Sequence, residues 1–328
     1  MRSRIHLAME SADAFIARTI LRHRAEPPGL ISFLFHGIFT NESEISRNLC
    51  HPQQSMTVSK LRVFIEHFLE HGYLFVSEAD LLGGLRTPGK YVLATFDDGY
   101  YNNVRALPVL REFGIPASVF VSARHVELGR CFWWDVLYRE AISRGSSLAE
   151  CARKEAQFKE RTHDEIERSL VKLFGNGAFL PRSDVDRPFS PDELRDLARE
   201  PGVFVGNHTM DHAILTNYRD DHMTAQISDA QQALTEMTGR TPLFISYPNG
   251  NVSPRIVAAS LAAGLKLGIT VRSGRDRVPL DDASSRRMLL RRQILWGDTD
   301  IGRQCVAYRS GHSLLSDARR VVGRPGYA

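Results

Sequence analysis

Two pairs of residues in this 328-residue chain have the types and spacing to do chemistry. Asp97 and Asp98 are adjacent and followed at once by Gly99, and His208 and His212 lie four positions apart. Neighbouring carboxylates repel, so a pair that stays ionised needs a metal, another cation or a shared proton. Histidines at i and i+4 share one face of a helical turn and can reach a single ion. Two imidazoles and one carboxylate are a common ligand set for a catalytic divalent metal, with positions left for water and substrate. Each pair alone has an ordinary reading. Asp-Asp-Gly is also turn chemistry, and spaced histidines occur on solvated helix faces. The two pairs together point to one metal centre.

The elements that must position them follow from the pattern around them. The apolar run 91–94 before the acidic pair reads as a buried parallel strand, and 203–206 before the histidines reads as another. In parallel sheets, open or barrel-like, chemistry sits at the carboxyl ends of the strands, so both pairs are expected at one edge. Further strands are expected at 30–35, 73–76, 116–121, 243–246, 267–271 and 289–296. Between them helical patterns recur: one capped by Thr57 or Ser59 and closed by Gly72, a short one opened by 77–80, and others at 103–113, 221–237, 254–264 and 299–308. Strand, helix, strand in this rhythm is an α/β arrangement of parallel units. From about 127 to 199 no strand is expected, only helices at 133–142, 148–158 and 163–174. This reads as a helical insertion whose Trp133, Trp134 and Tyr138 are expected to pack a core rather than line a substrate wall. Residues 1–29 form an amphipathic helical segment, 30–308 one α/β domain with the insertion, and 309–328 a loose tail.

Composition narrows the classes. The apolar fraction of 43% and charged fraction of 24% suit an ordinary globular chain. A net charge of +4 without a dense Lys/Arg stripe does not indicate nucleic acid, and no nucleic-acid partner is expected. Cys50, Cys131, Cys151 and Cys305 are far apart and are expected as buried thiols, neither a disulfide framework nor a cysteine-type zinc site. No apolar run is long enough to span a bilayer, and residues 1–24 lack the apolar core of a signal peptide. The expected location is cytoplasmic. The first segment carries Ile5, Ala8, Ala12, Phe15, Ile16 and Ile20 among Arg2, Arg4, Arg18, Arg22 and Arg24. Such a helix packs on its own domain or lies peripherally on an anionic membrane.

Thr-Phe-Asp-Asp-Gly at 95–99, His-Thr-Met-Asp-His at 208–212 and Tyr-Pro-Asn-Gly at 247–250 resemble the successive motifs of the polysaccharide deacetylases, the NodB-homology group or carbohydrate esterase family 4. The resemblance runs from about 30 to 296, less the insertion. It implies a distorted (β/α) barrel, a divalent metal that is most often zinc, and hydrolysis of N-acetyl groups on a glycan or glycolipid. It implies Asp97 as general base, Asp98, His208 and His212 as metal ligands, and Thr209 as a support. It also implies that Tyr247, Pro248 and Asn249 form the oxyanion loop, with the Asn249 N–H as donor. These roles fit the chemistry of a poorly electrophilic amide. A bound metal lowers the pKa of water from 15.7 toward about 7, a carboxylate takes its proton, and a backbone N–H steadies the oxyanion.

The chain departs from the family pattern twice. The late Leu-x-His motif that supplies the general acid is missing; after Gly274 the one histidine is His312. The run 33–37, an apolar strand ending in His36-Gly37, has that motif's character, so His36 is the expected acid. Where relatives carry an arginine that orients the base, this chain has Ser246. Arg291 or Arg292 of the last strand is the expected substitute. Two other readings use the same residues: an amidase on a small non-sugar amide, and a glycan-binding relative without catalysis.

Overall fold

The computed structural model describes residues 4–280 and 284–311, the side chains of 4–10, 284 and 285 excepted. Eight strands, all parallel, form its centre: β1 (Gly29–Phe35), β2 (Leu74–Phe75), β3 (Lys90–Phe96), β4 (Ala117–Val121), β5 (Val203–Asn207), β6 (Phe244–Ser246), β7 (Leu267–Ile269) and β8 (Gln293–Ile294). Their order is β7-β6-β5-β4-β3-β1-β8, with β2 added beside the first half of β3. Every residue of β1 and of β4 is buried, as is all of β3 after Lys90. Burial on both faces is why these strands are continuous apolar runs and not alternating ones.

The sheet closes on itself through a short segment. Leu290 bridges to Ile269 at the β7 edge, and Gln293 of the following β8 pairs with Phe33 of β1. The strand expected over 289–296 is thus only two residues of regular ladder plus one bridge, because it splits its hydrogen bonds between two edges. The result is a distorted (β/α) barrel, as the motifs implied.

Helices coat the barrel where apolar spacing asks for them. Thr57 caps helix Val58–Glu70, whose Leu61, Phe64, Ile65 and Phe68 are buried. Phe64 and Phe68 meet Phe33 of β1 edge-on or tilted at ring separations of 4.8 and 5.1 Å. The helix expected over 103–113 begins instead as a 3₁₀ turn, Tyr101–Ala106, and becomes α at Leu107–Phe113. Among the described residues no strand lies between Val121 and Val203. Helices Trp133–Ser143, Leu148–Phe158 and His163–Phe174 fill the insertion and share their own apolar cluster.

The first helix, Arg4–His23, packs against the helix Ile301–Ser310. It buries Ala14 and Ala17; of the expected stripe, Ala12, Phe15 (72%) and Ile16 (40%) are exposed, and the side chains of Ile5 and Ala8 lie outside the described residues. Small side chains let two helices approach closely, so the alanine face went inward and the large residues stayed out. No helix among the described residues is long and apolar enough to cross a membrane. His312 and the rest of the tail after Gly311 lie outside the described residues.

Candidate active site

The parallel register gathers the chemistry. Phe35 pairs with Phe96, and Asp97 N–H extends the ladder by donating to the Phe35 carbonyl at 2.8 Å. His36 and Asp97 therefore leave the sheet side by side. Val121 pairs with Asn207, and His208 N–H donates back to the Val121 carbonyl at 3.1 Å. Since parallel strands point one way, the ends of β1, β3, β5 and β6 deliver His36, Asp97, Asp98, His208 and Ser246 to the same rim.

The backbone turns sharply after the acids. Asp98 sits at φ +77° and Gly99 at +87°, two successive left-handed residues. An aspartate tolerates this conformation. At Gly99 a Cβ would also stand 2.9 Å from Val121 Cγ1, so glycine is required on both counts. Asp97 and Asp98 are both buried.

The histidines do not share a helical turn as their spacing suggested. The segment after Asn207 is an irregular loop in which Thr209 (φ +63°) and His212 (φ +53°) are left-handed. Asn207 Oδ1 accepts the Thr209 N–H, and Thr209 Oγ1 accepts the Ala213 N–H, both at 2.8 Å. These bonds fold the loop so that both imidazoles face Asp98. His208 Nε2 stands 3.4 Å and His212 Nε2 3.3 Å from Asp98 Oδ1. His208 Nδ1 bonds the Ser246 carbonyl at 2.7 Å, which places its proton there and leaves Nε2 as a lone-pair donor.

One ligand atom from each of Asp98, His208 and His212 lies within 4.8 Å of the others. Asp98 Oδ1 and His208 Nε2 are buried without a hydrogen-bond partner. Unsatisfied buried donors and acceptors are costly, and two nitrogens and an oxygen aimed at one point are what a divalent ion needs. The residues fit a metal. Burial opposes ionisation of Asp98, but the imidazoles of His36, His208 and His212 outweigh it and hold the carboxyl well below its usual range.

Asp97 is held from the far end of the chain. Arg292 donates from Nη1 to Asp97 Oδ1 at 2.7 Å and from Nη2 to Oδ2 at 2.8 Å. Ser246 Oγ donates to Oδ2 at 2.9 Å and accepts from Arg292 Nη2 at 2.8 Å. Arg292 Nε donates to the Thr270 carbonyl just past β7 and Nη1 also to Thr95 Oγ1 of β3, so this fully buried guanidinium is anchored at the ends of β3, β6 and β7. Burial pushes the Asp97 carboxyl up, Arg292 and His208 pull it down more strongly, and the net shift is downward. Arg291 is exposed, with its side chain beside Gly274. Ser246, read from sequence as a departure, contacts the carboxylate directly.

His36 is buried at the end of β1, its Nδ1 2.9 Å from Gln54 Oε1 and its carbonyl bonded by Asn103 Nδ2 at 2.7 Å. Gln53 Nε2 donates to Asp98 Oδ2 at 3.2 Å. The glutamines lie in a polar stretch with no periodic signal, and nothing in the sequence marks them.

The insertion's aromatics pack as expected, with Trp133, Trp134 and Tyr138 all buried, and the packed Trp134 also touches the site. Trp134 covers His212 at a ring separation of 4.5 Å and donates from Nε1 to Tyr100 Oη at 2.7 Å. Tyr100 Oη donates in turn to Asp135 Oδ2 at 2.7 Å. Trp133 is core, and Tyr138 bonds Asn48 Oδ1.

In the 247–250 loop, Asn249 is left-handed at φ 58°, ψ 7°. The Tyr247 ring does not face outward with it. It is fully buried in the cluster of Ile245, Ile256, Leu265 and Met288, supporting the loop from beneath.

Comparison with known proteins agrees with this architecture. The family model described as polysaccharide deacetylase matches residues 84–268. The chain is 25% identical over 177 residues to a peptidoglycan-N-acetylglucosamine deacetylase of Bacillus cereus, covering 52% of this chain and 61% of that protein. It is 21% identical over 186 residues to the YxkH protein of Bacillus subtilis, covering 56% and 46%. The chain thus spans about half the length of the curated relatives it matches. Among solved structures, the Streptococcus pyogenes deacetylase PplD in complex with acetate superposes with a TM-score of 0.57 at 15% identity, covering 86% of this chain and 99% of that one. IcaB from Ammonifex degensii superposes at 0.58 and 19% identity, covering 87% and 98%. Likeness at that identity speaks for the fold. The family match covers more than half the chain, and the chain belongs to the polysaccharide deacetylase family.

Proposed function

We propose that this protein is a metal-dependent hydrolase that removes N-acetyl groups from an N-acetylhexosamine-containing glycan, free or lipid-linked. The observation that carries the reading is the convergence of Asp98, His208 and His212 beside an Arg292-bound Asp97. Asp98, His208 and His212 hold the ion, with zinc the best match to their nitrogen and oxygen donors. When bound, that ion supplies Lewis-acid activation of a water and of the amide carbonyl. The relative named for N-acetylglucosamine in peptidoglycan supports an aminosugar substrate.

The chain's own residues carry the remaining steps. Asp97 takes the proton of the attacking water, and Arg292 and Ser246 keep its carboxylate oriented while it does so. Thr209 holds the loop that aims the two imidazoles. The Asn249 N–H steadies the oxyanion of the tetrahedral intermediate, a contact of a kind whose loss costs about 2.7–4 kcal/mol. As the C–N bond breaks, its electron pair goes to nitrogen, which takes a proton from His36. Acetic acid, which ionises to acetate in solution, and the free amine leave, and the proton held by Asp97 passes to His36, directly or through solvent, which restores both groups.

The outward Phe15 and Ile16, with Arg18 and Arg22 exposed beside them, support peripheral contact of the first helix with an anionic membrane, and the location proposed with it is cytoplasmic. Residues 30–308 act as one catalytic domain in this reading.

The test is acetate release from N-acetylglucosamine oligomers by the purified protein, with metal content measured in parallel. Asp97→Asn is expected to keep the metal and lose turnover by at least about a hundredfold. Full turnover in that variant removes Asp97 as the base, and a wild type that binds no divalent metal removes the reading altogether.

A further inference from the structure

We infer that Gln54 is a positioning residue that locks His36 as the Nδ1-protonated tautomer, so that Nε2 is the nitrogen that exchanges protons with the substrate. The inference rests on His36 being the general acid.

The lock follows from donor and acceptor accounting. Gln54 Nε2 donates to the Leu34 carbonyl at 2.8 Å. A carbonyl only accepts, so the amide nitrogen must face Leu34 and Oε1 must face His36 Nδ1, 2.9 Å away. Oε1 in turn only accepts, so Nδ1 must carry a hydrogen. Leu34 and His36 belong to the same strand end, and Gln54 therefore spans two residues with one amide. Among the described residues His36 Nε2 has no hydrogen-bond partner, and it is not one of the buried unpartnered atoms, so it remains open to the rim.

Gln54 is itself held rigidly. It is 4% exposed, its carbonyl accepts the Gly297 N–H at 2.6 Å, and its neighbours Gln53 and Ser55 are both left-handed. A Cβ at Gly297 would fall 2.0 Å from the Ser55 carbonyl oxygen, so the chain after β8 is pressed against this turn. The amide has little freedom to rotate away.

The consequence is directional. Nδ1 keeps its proton in both charge states of the ring. The imidazolium gives up the Nε2 proton to the leaving nitrogen and becomes the neutral tautomer that Gln54 already stabilises, with no ring flip.

The test compares wild type with Gln54→Met, which keeps the volume and removes the amide, and Gln54→Glu, which restores an acceptor for Nδ1 and in its neutral form a donor for Leu34. In 15N-histidine NMR spectra, assigned with His36→Ala, neutral His36 is expected as the Nδ1–H tautomer in wild type and in Gln54→Glu. In Gln54→Met a substantial share is expected as Nε2–H. Turnover of Gln54→Met should fall about tenfold or more at unchanged KM and metal content, since a wrong tautomer is costly even in intact geometry. Gln54→Glu should recover most of it. A wild-type His36 protonated on Nε2, or Gln54→Met with wild-type turnover, overturns the inference, as does a fall in metal content equal to the fall in turnover. Should wild type release no acetate, the deacetylase reading fails while the NMR arm still decides the tautomer.

Discussion

Arg292 and Asp97, 195 residues apart, face each other fork to fork at 2.7 and 2.8 Å inside a barrel that admits almost no solvent to either. The arginine comes from the segment that closes the sheet, so the contact that orients the candidate base also ties the barrel's last strand to its centre.

Removing that arginine should therefore cost twice. Arg292→Met leaves a buried carboxylate unpaired, and loss of one partner of a buried pair costs about 3–5 kcal/mol. Arg292→Lys keeps the charge but cannot bond both oxygens. Urea unfolding is expected to rank wild type above lysine above methionine, and kcat for acetate release should follow the same order. A methionine variant with wild-type stability would contradict the geometry.

The same pair makes a pH prediction. The Asp97 carboxyl is held below its usual range. A depressed carboxyl adds stability above its unfolded pKa of about 3.9, and that stability is lost as pH falls through the folded value. In chelator-treated protein, Asp97→Asn should be the less stable form at pH 7, with the gap to wild type closing below about pH 4. Unfolding free energies measured across that range check it.

Metal removal should be visible without any substrate. A ligand that binds only the folded state at a hundred times its Kd adds about 2.7 kcal/mol. Adding zinc to chelator-treated wild type is expected to raise the melting temperature, and His212→Ala should lose most of that rise. Equal rises in both proteins would move the metal elsewhere.

Trp134 links the insertion to the candidate metal ligands. Trp134→Phe retains a ring over His212 and loses the bond to Tyr100, whereas Trp134→Ala removes both and leaves a cavity. Neighbours that orient ligands typically govern 10–100-fold in metal affinity. Isothermal titration should show a small loss for phenylalanine and one of about that size for alanine.

Away from the site, Glu78 is a buried carboxyl with no hydrogen-bond partner at Oε2. Burial alone pushes its pKa up from 4.5 to about 7. A raised carboxyl costs nothing below its unfolded pKa and progressively destabilises the fold as pH rises toward the folded value. Glu78→Gln should match wild type near pH 4 and exceed it by up to about 3 kcal/mol above pH 7. Parallel stability curves would disprove this.

Much of this arrangement was readable in one dimension. Asp97, Asp98 and the two histidines each follow an apolar run, and parallel strands with helical crossovers send every carboxyl end to one rim. His36 was legible for the same reason, because it ends a strand. Where the structure differs from the local pattern, the deciding information is spatial. Spacing of four suggested a helical turn for His208 and His212, but two left-handed residues and the Asn207 and Thr209 bonds make a loop that converges just as well.

The choice between Arg291 and Arg292 needed the fold, since adjacent residues in an extended segment point to opposite sides and only the closed barrel defines which side is inside. Gln54 and Trp134 come from a turn and an insertion whose docking on the rim depends on contacts across tens of residues, and no periodicity records that. On the first helix, the apolar stripe was plain, yet the partner surface at Ile301–Ser310 accepted the alanine face instead. Local pattern determines which residues can form an element and which chemistry they bring. The side each residue faces, and what meets it there, is settled only when distant segments compete for the same space.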